Sequence, residues 1–218
     1  MNTTALKGKR CLIIDYGMGN LWSVESAVNF LGVPCEVITQ PDHLDGASHV
    51  ILPGVGSFRL AMETLAGRGM VEGLKSWVQT GVGCLLGICL GMQLLASESE
   101  EDGTTKGFGF FDSRVERFRH SVDSHLQIPH VGFNSVTFEE PQGIFAGLKS
   151  GCDFYFVHSY RLDVRGTRGR TGLTTYGETF LAAAQLDNVW GVQFHPEKSQ
   201  SNGLQLLRNF LETNDSTC

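Results

Sequence analysis

The sequence of 218 residues lacks several features that define other classes of protein. It has no run approaching the roughly 20 apolar residues that span a bilayer, and its first ten residues contain no apolar stretch typical of a signal peptide. Basic residues are also few. The 17 Lys and Arg stand against 23 Asp and Glu, and a net charge of −6 disfavours a phosphate-binding surface. We therefore expect a cytoplasmic protein that binds neither membranes nor nucleic acid.

The cysteines form no recognisable metal or disulfide pattern. No Cys-x-x-Cys pair occurs, and the spacing fits no zinc site, so we expect no metal and free thiols in a reducing compartment. The sequence also lacks internal repeats, low-complexity tracts and long linkers. We therefore predict one domain over residues 10–218 after a flexible extension of residues 1–9. The six cysteines stand at positions 11, 35, 84, 89, 152 and 218.

Short apolar runs alternate with helical patterns in the first half of the chain, which predicts βαβ units. The second half contains strand-like runs with few helices between them. We therefore predict an α/β fold: an open, mostly parallel sheet flanked by helices, with an added antiparallel layer in the second half. The predicted strands cover residues 11–14, 35–38, 49–52, 83–88, 114–118, 135–138, 154–157 and 189–194, and the predicted helices 21–31, 58–66, 71–79, 89–95 and 204–211.

A glycine-flanked cysteine stands where the fourth predicted strand meets a helix. The segment Gly87-Ile88-Cys89-Leu90-Gly91 has the form Gly-x-nucleophile-x-Gly. Small neighbours permit a sharp, strained turn at the nucleophile, here called the elbow. The helix start would face the sulfur and favour its thiolate, and the Leu90 N–H would face a developing oxyanion. The motif is short, and taken alone it fits a buried structural cysteine equally well.

A base and its orienting group are present near the end of the chain. His195 follows an apolar strand, and in an extended segment Glu197 would share its face and hold one ring nitrogen. Isolated histidines at strand ends are more often surface residues. The nearby carboxylate and the upstream elbow cysteine favour a Cys89–His195–Glu197 triad.

A second oxyanion donor is expected from the loop that ends the third predicted strand. In Pro53-Gly54-Val55-Gly56 the glycines would let backbone N–H groups approach a ligand, at the same sheet edge as Cys89. The loop lacks the Lys-Ser/Thr of a phosphate-binding P-loop. On its own it fits an ordinary strand-to-helix turn better than an oxyanion site.

These segments together resemble the class I, or triad, glutamine amidotransferases. Within that family they are most similar to the glutaminase subunits that serve imidazole glycerol phosphate synthesis. The resemblance spans about residues 10–212. Besides the elbow it rests on Asp15–Leu21, Pro53–Phe58, Pro129–Asn134, Tyr155–Tyr160 and His195–Ser199.

The resemblance implies that glutamine is hydrolysed to glutamate and ammonia through a thioester, with no metal or organic cofactor. It implies oxyanion donors at Leu90, Val55 and Gly56. It also implies a (β/α)₈ cyclase partner in a heterodimer of histidine biosynthesis with hydrolase and lyase activities. Glutamine would be held by Gly54, Gln93, Ser159 and Tyr160.

Partner contacts are expected at Asn20, Pro129 and Phe133, and also at Met18 and Trp22, although Trp22 fits a core position equally well.

Two residues depart from the family pattern, Phe133 in place of tryptophan and Gln127 in place of a basic residue. Both fall in the segment expected to face the partner and leave the triad intact. Three other functions remain open: a glutaminase for another synthase, a stand-alone cysteine hydrolase of γ-glutamyl amides, and an inactive binding module. The intact triad argues against the last of these.

Overall fold

The computed structural model describes residues 6, 8–119, 126–165 and 168–213. Within them lie five α-helices, namely α1 Leu21–Phe30, α2 Phe58–Gly67, α3 Met70–Gln79, α4 Leu90–Leu94 and α5 Gln200–Glu212. The first strands are β1 Cys11–Ile14, β2 Cys35–Ile38, β3 His49–Gly54, β4 Cys84–Cys89, β5 Ala96–Ser99, β6 Thr105–Lys106 and β7 Phe111–Arg117. They are followed by β8 His130–Phe138, β9 Cys152–His158, β10 Tyr160–Leu162, β11 Arg170–Tyr176, β12 Glu178–Leu186 and β13 Val189–Val192. Short 3₁₀ helices span Pro41–Leu44, Gly143–Phe145 and Pro196–Lys198.

Five neighbouring strands run parallel in the order β2-β1-β3-β4-β13. Strands β1, β3, β4 and β13 are buried at every residue, as expected where helices cover both faces of a parallel sheet. This explains why they appear in the sequence as continuous apolar runs. The predicted open α/β sheet is confirmed.

The core lies in two layers, one on each face of the sheet. On one face α1 and α5 bury Val28 and Phe210 against Ile13 and Leu86. On the other, α2 and α3 bury Leu65 and Leu74 against the alternate strand positions, such as Leu12. Alternate side chains of each apolar strand point to opposite faces of the sheet, so each strand contributes to both layers of the core.

The second half of the chain continues the sheet with antiparallel pairs. Strand β12 pairs antiparallel with β13, β11 and β10, and β11 leads through β8 to β9. The predicted antiparallel part is confirmed, although strands β11 and β12 themselves were not predicted. Its effect is to bring β13, and the residues that follow it, directly beside β4.

No helix in the described part of the chain is long and apolar enough to cross a membrane. Most of the predicted flexible extension, residues 1–9, lies outside the described residues. Leu6 is buried in the core beside α1, and the domain boundary stays a prediction.

The thiols differ in state. Cys11, Cys35, Cys89 and Cys152 are free, whereas Cys84 is disulfide-bonded. The expectation of a free thiol at Cys84 is therefore wrong, because spacing in the sequence does not show which cysteines approach each other.

Candidate active site

Cys89 is the last residue of β4 and the N-cap of α4, and its backbone has φ 56° and ψ −110°. A side chain rarely adopts this conformation, which costs on the order of 1–3 kcal/mol and is typical of functional sites. The turn is the predicted elbow. It leaves the thiol only 5% exposed, at the floor of a cleft.

The elbow glycines are required by the close crossing of α4 over the sheet. A Cβ on Gly91 would lie 1.7 Å from the carbonyl oxygen of Leu52 in β3. A Cβ on Gly87 would lie 2.7 Å from the backbone of Gly91 itself. Side chains at these positions would push α4 away from the sheet and would displace Cys89 with it.

His195 and Glu197 form the predicted pair. His195 Nδ1 lies 2.7 Å from Glu197 Oε1, and both side chains are almost fully buried. The segment turns into the 3₁₀ helix Pro196–Lys198 instead of remaining extended, and the turn itself brings the carboxylate back to the ring. Ser199 fixes the backbone here, because its hydroxyl donates to His195 O at 2.6 Å and accepts from Tyr155 N at 2.9 Å.

The charge balance around His195 favours its protonated form. Burial lowers the pKa of His195, but its interactions with Cys89 and Glu197 outweigh burial and raise the pKa to about 10. The Nε2 atom is buried and makes no hydrogen bond of standard geometry. Hydrogen bonds between catalytic groups are often long or absent before substrate binds.

A cleft of about 350 Å³ opens above the thiol. It gathers segments that lie far apart in the sequence. Its lining residues are Val55, Gly56, Cys89, Leu90, Gln93, Glu101, Pro129, Val157, His158, Ser159 and Tyr160.

The two expected sources of oxyanion donors meet at this cleft. Gly54 pairs with Cys89 in the parallel ladder of β3 and β4, so Val55 and Gly56 follow directly beside the elbow. Gly54 has no space for a side chain, because a Cβ would lie 1.9 Å from the Tyr16 hydroxyl. Gly56 has φ 111°, which favours glycine. The Leu90 N–H belongs to the first turn of α4.

The chain matches the family described as glutamine amidotransferase class-I over residues 12–214. It belongs to the class I glutamine amidotransferases.

Relatives of this amidotransferase extend over nearly its whole length. It is 47% identical to the imidazole glycerol phosphate synthase subunit HisH of Moorella thermoacetica, over 92% of this chain and 93% of that protein. It is 42% identical to the subunit HisH of Chlorobium luteolum, over 92% of this chain and 98% of that one.

Solved structures share the fold at low sequence identity. PurLQS of Thermotoga maritima superposes with a TM-score of 0.70 at 15% identity, covering 93% of this chain and 97% of that one. The glutaminase domain of Trypanosoma brucei CTPS, solved with bound acivicin, gives a TM-score of 0.59 at 16% identity, with 94% and 95% covered.

In this amidotransferase the residues expected to hold glutamine lie along one wall of the cleft. Gln93, Ser159 and Tyr160 line it, and Gly54 lies one residue outside it. The Nε2 group of Gln93 donates to Tyr160 O at 3.0 Å and to Gln193 Oε1 at 3.1 Å.

Two residues of the site carry no motif signal that sequence reasoning could have used. Glu101 contributes a carboxylate to the cleft and accepts a hydrogen bond from Phe58 N at 2.9 Å. Burial, opposed by that hydrogen bond and assisted by Asp102, raises the pKa of Glu101. Gln193, fully buried at the end of β13, donates to Cys89 Sγ at 3.8 Å.

A pair of buried histidines supports the wall formed by β8 and β9. His130 Nδ1 lies 3.1 Å from His158 Nε2, and His158 Nδ1 lies 2.8 Å from Tyr160 O. Because a carbonyl only accepts, His158 Nδ1 carries the proton, and its Nε2 then accepts from His130. Burial lowers the pKa of His130 to about 4 and, with the charges of His130 and His195, that of His158 to about 3.

Most of the residues expected at a partner interface are exposed, and one of them, Pro129, lines the cleft. Trp22 is 74% exposed and Phe133 52% exposed, so the core interpretation of Trp22 is wrong. Pro129 and Asn20 are also exposed, and Asn20 caps α1 by accepting from Ser23 N. Two further apolar side chains, Val55 and Val131, are exposed nearby.

Proposed function

We propose that this amidotransferase is the glutaminase subunit of an imidazole glycerol phosphate synthase. It hydrolyses glutamine to glutamate and ammonia and passes the ammonia to a (β/α)₈ cyclase in a heterodimer of histidine biosynthesis. The observation that carries the chemistry is the strained Cys89 at the floor of a cleft, next to the buried His195–Glu197 pair. The choice of synthase rests on the HisH relatives.

Cys89 attacks the side-chain carbonyl carbon of glutamine, and a C–S bond forms while the carbonyl electrons move to oxygen. When this intermediate collapses, the C–N bond breaks and His195 supplies the proton with which ammonia leaves. That proton is the one that His195 takes from the Cys89 thiol before the attack. Interactions with Cys89 and Glu197 outweigh burial and raise the pKa of His195 to about 10, so the proton stays on the ring at neutral pH. Water then attacks the thioester, with His195 as the base, and releases glutamate.

Backbone groups at both sides of the sulfur stabilise the intermediate. The Leu90 N–H belongs to the first turn of α4, and the Val55–Gly56 segment lies beside it across the ladder of β3 and β4. Donors placed where negative charge develops stabilise the transition state more than the substrate.

The remaining cleft residues select glutamine. Both hydrogens of Gln93 Nε2 are engaged by Tyr160 and Gln193, so Gln93 presents its carbonyl oxygen to the cleft. Ser159 and Tyr160 offer hydroxyl groups, and the backbone of Gly54 borders the reacting amide. The Glu101 carboxylate is suited to the α-ammonium group of the substrate.

The partner docks over the cleft mouth, where ammonia would otherwise escape to water and be protonated. Asn20, Pro129 and Phe133, with Met18 and Trp22, provide a neutral surface with exposed aromatic rings, as interface centres favour. A Cβ placed on Gly56 would lie 2.7 Å from Met18 Cε. Met18 therefore lies next to the segment that is proposed to supply an oxyanion donor.

Glutaminase turnover measured with and without a (β/α)₈ cyclase and its nucleotide ligand tests the proposal. We expect turnover to rise in the complex. Phe133→Asp should weaken assembly in analytical ultracentrifugation, whereas Val82→Asp should not, because Val82 is equally exposed but precedes β4 at the opposite sheet edge. Full turnover without the partner, and assembly unaffected by Phe133→Asp, would instead indicate a stand-alone hydrolase.

A further inference from the structure

A chain of buried amide groups, separate from the His195–Glu197 pair, reaches the sulfur of Cys89. It begins at the carbonyl oxygen of Tyr160, which accepts from Gln93 Nε2 at 3.0 Å. Gln93 Nε2 also donates to Gln193 Oε1 at 3.1 Å, and Gln193 Nε2 ends 3.8 Å from Cys89 Sγ. Sulfur has a large radius, so a hydrogen bond to it is longer than one to oxygen.

The polarity of this chain is set by its backbone end. A carbonyl oxygen can only accept, so the amino group of Gln93 faces Tyr160. The same amino group meets Gln193, which must therefore turn its oxygen towards Gln93. Reversing the Gln193 amide would place two donors 3.1 Å apart. The N–H end of Gln193 is thus the end that faces the sulfur.

Gln193 is held rigidly in this orientation. Its side chain has no exposed surface, and its backbone N–H donates to Ala182 O at 2.8 Å in the neighbouring strand. It is placed by β13, two residues before His195, beside the strand that carries Cys89. A buried donor of fixed direction needs no reorganisation when charge develops near it.

We propose that Gln193 is a further catalytic residue of the glutaminase reaction, in which its amide N–H stabilises negative charge on the sulfur of Cys89. The inference rests on the proposed function. The sulfur carries this charge when it attacks glutamine and again when hydrolysis of the thioester expels it. Gln193 contacts the sulfur and does not itself line the cleft, so its N–H acts on turnover, and it reaches bound glutamine only through Gln93.

Two variants of similar volume separate the donor from the packing. Gln193→Met keeps an unbranched side chain without a donor, and Gln193→Glu keeps the shape but turns an acceptor towards the sulfur. We expect kcat with the partner to fall about 10- to 100-fold for Gln193→Met, and further for Gln193→Glu. The KM for glutamine should change less than kcat, because Gln93 loses one partner while Tyr160 O still accepts from its Nε2 group.

Gln185 provides the matched control. It is 5% exposed in β12, far from the cleft, and accepts a hydrogen bond from Ile144 N at 3.0 Å. Gln185→Met and Gln185→Glu lose a buried amide in the same way and should leave kcat unchanged. Ammonia-dependent synthesis by the complex shows that each variant folds and assembles, and the rate of Cys89 alkylation by iodoacetamide should fall in the order Gln, Met, Glu at position 193.

The outcomes are distinguishable. If the parent enzyme hydrolyses no glutamine with its partner, the proposed function fails. If the parent is active and Gln193→Met retains its kcat and alkylation rate, Gln193 is only a packing residue and the inference is overturned. It is also overturned if the loss lies in KM alone. Should Gln193→Glu fail to fold, Gln193→Met decides, since an apolar replacement of equal volume suits a buried position.

Discussion

At the scale of single residues, the backbone of Cys89 adopts a strained conformation that lowers the stability of the fold. Its φ of 56° is unfavourable for any residue with a Cβ, and the surrounding contacts of α4 with β3 hold it there. A residue chosen for stability at this position would be glycine. The thiol is therefore present for its reactivity.

We predict that Cys89→Ala and Cys89→Gly both lose glutamine hydrolysis by at least about 10³-fold. They should differ in stability, because glycine relieves the backbone strain and alanine does not. Cys89→Gly should unfold at higher urea concentration, with a free energy of unfolding larger by about 1 kcal/mol.

Urea denaturation of both variants, followed by circular dichroism, measures the difference. Equal urea midpoints for the two variants would show that the elbow is not strained. Glutamine hydrolysis by either variant would show that Cys89 is not the nucleophile.

At the scale of secondary-structure elements, the crossing of α4 over β3 and β4 decides where the nucleophile lies. The space at Gly91 is so small that the Leu52 carbonyl would overlap any side chain. Gly67, the last residue of α2, has nothing within 4 Å of its Cβ position and no positive φ.

We therefore predict opposite effects for the same substitution. Gly91→Ala should lower the free energy of unfolding by at least about 3 kcal/mol, or prevent folding, since backbone must move to admit the methyl group. Gly67→Ala should be neutral or raise it by up to about 1 kcal/mol, because alanine favours helix. Thermal unfolding of the two variants measures this, and a fully stable Gly91→Ala protein would contradict the close crossing.

Elements of the first half could be predicted because burial on both faces leaves uninterrupted apolar strands, such as Cys11–Ile14. Strand β12 escaped prediction since Ala182–Ala184 is a run of the best helix former, and only its place between β11 and β13 makes it a strand.

The His195–Glu197 pair is local and could be predicted. The contact of Gln93 with Gln193 spans 100 residues and depends on β13 entering beside β4, which no motif indicates.

At the scale of the whole molecule, buried histidines make stability depend on pH. Burial, with the charge of Lys9, lowers the pKa of His49 from 6.5 to about 4, and burial lowers that of His130 to about 4. Between about pH 4 and pH 6.5 the unfolded chain binds more protons than the folded one. The contribution of these histidines to the free energy of unfolding is therefore fully present above pH 6.5 and is lost as the pH falls. His195 acts oppositely, because its pKa is raised to about 10 and its contribution is lost as pH rises through that value.

We predict that the free energy of unfolding falls steeply from about pH 6.5 to about pH 4. His49→Gln should reduce this slope by about one proton, because it removes one imidazole that is buried neutral. His43→Gln, which removes an exposed imidazole, should not change it. Urea denaturation at several pH values gives the slope, and equal slopes for His49→Gln and the parent would contradict the prediction.

The position of β13 has a consequence for the protein while it is being synthesised. β13 is the last strand in the described chain, yet it lies in the middle of the sheet, between β4 and β12. A ribosome therefore produces Cys89 more than a hundred residues before His195, its proposed base. Until the antiparallel strands have folded and β13 has paired with β4, a nascent chain holds Cys89 without His195 beside it. Under the proposed mechanism, glutamine hydrolysis therefore begins only after β13 has entered the sheet beside β4.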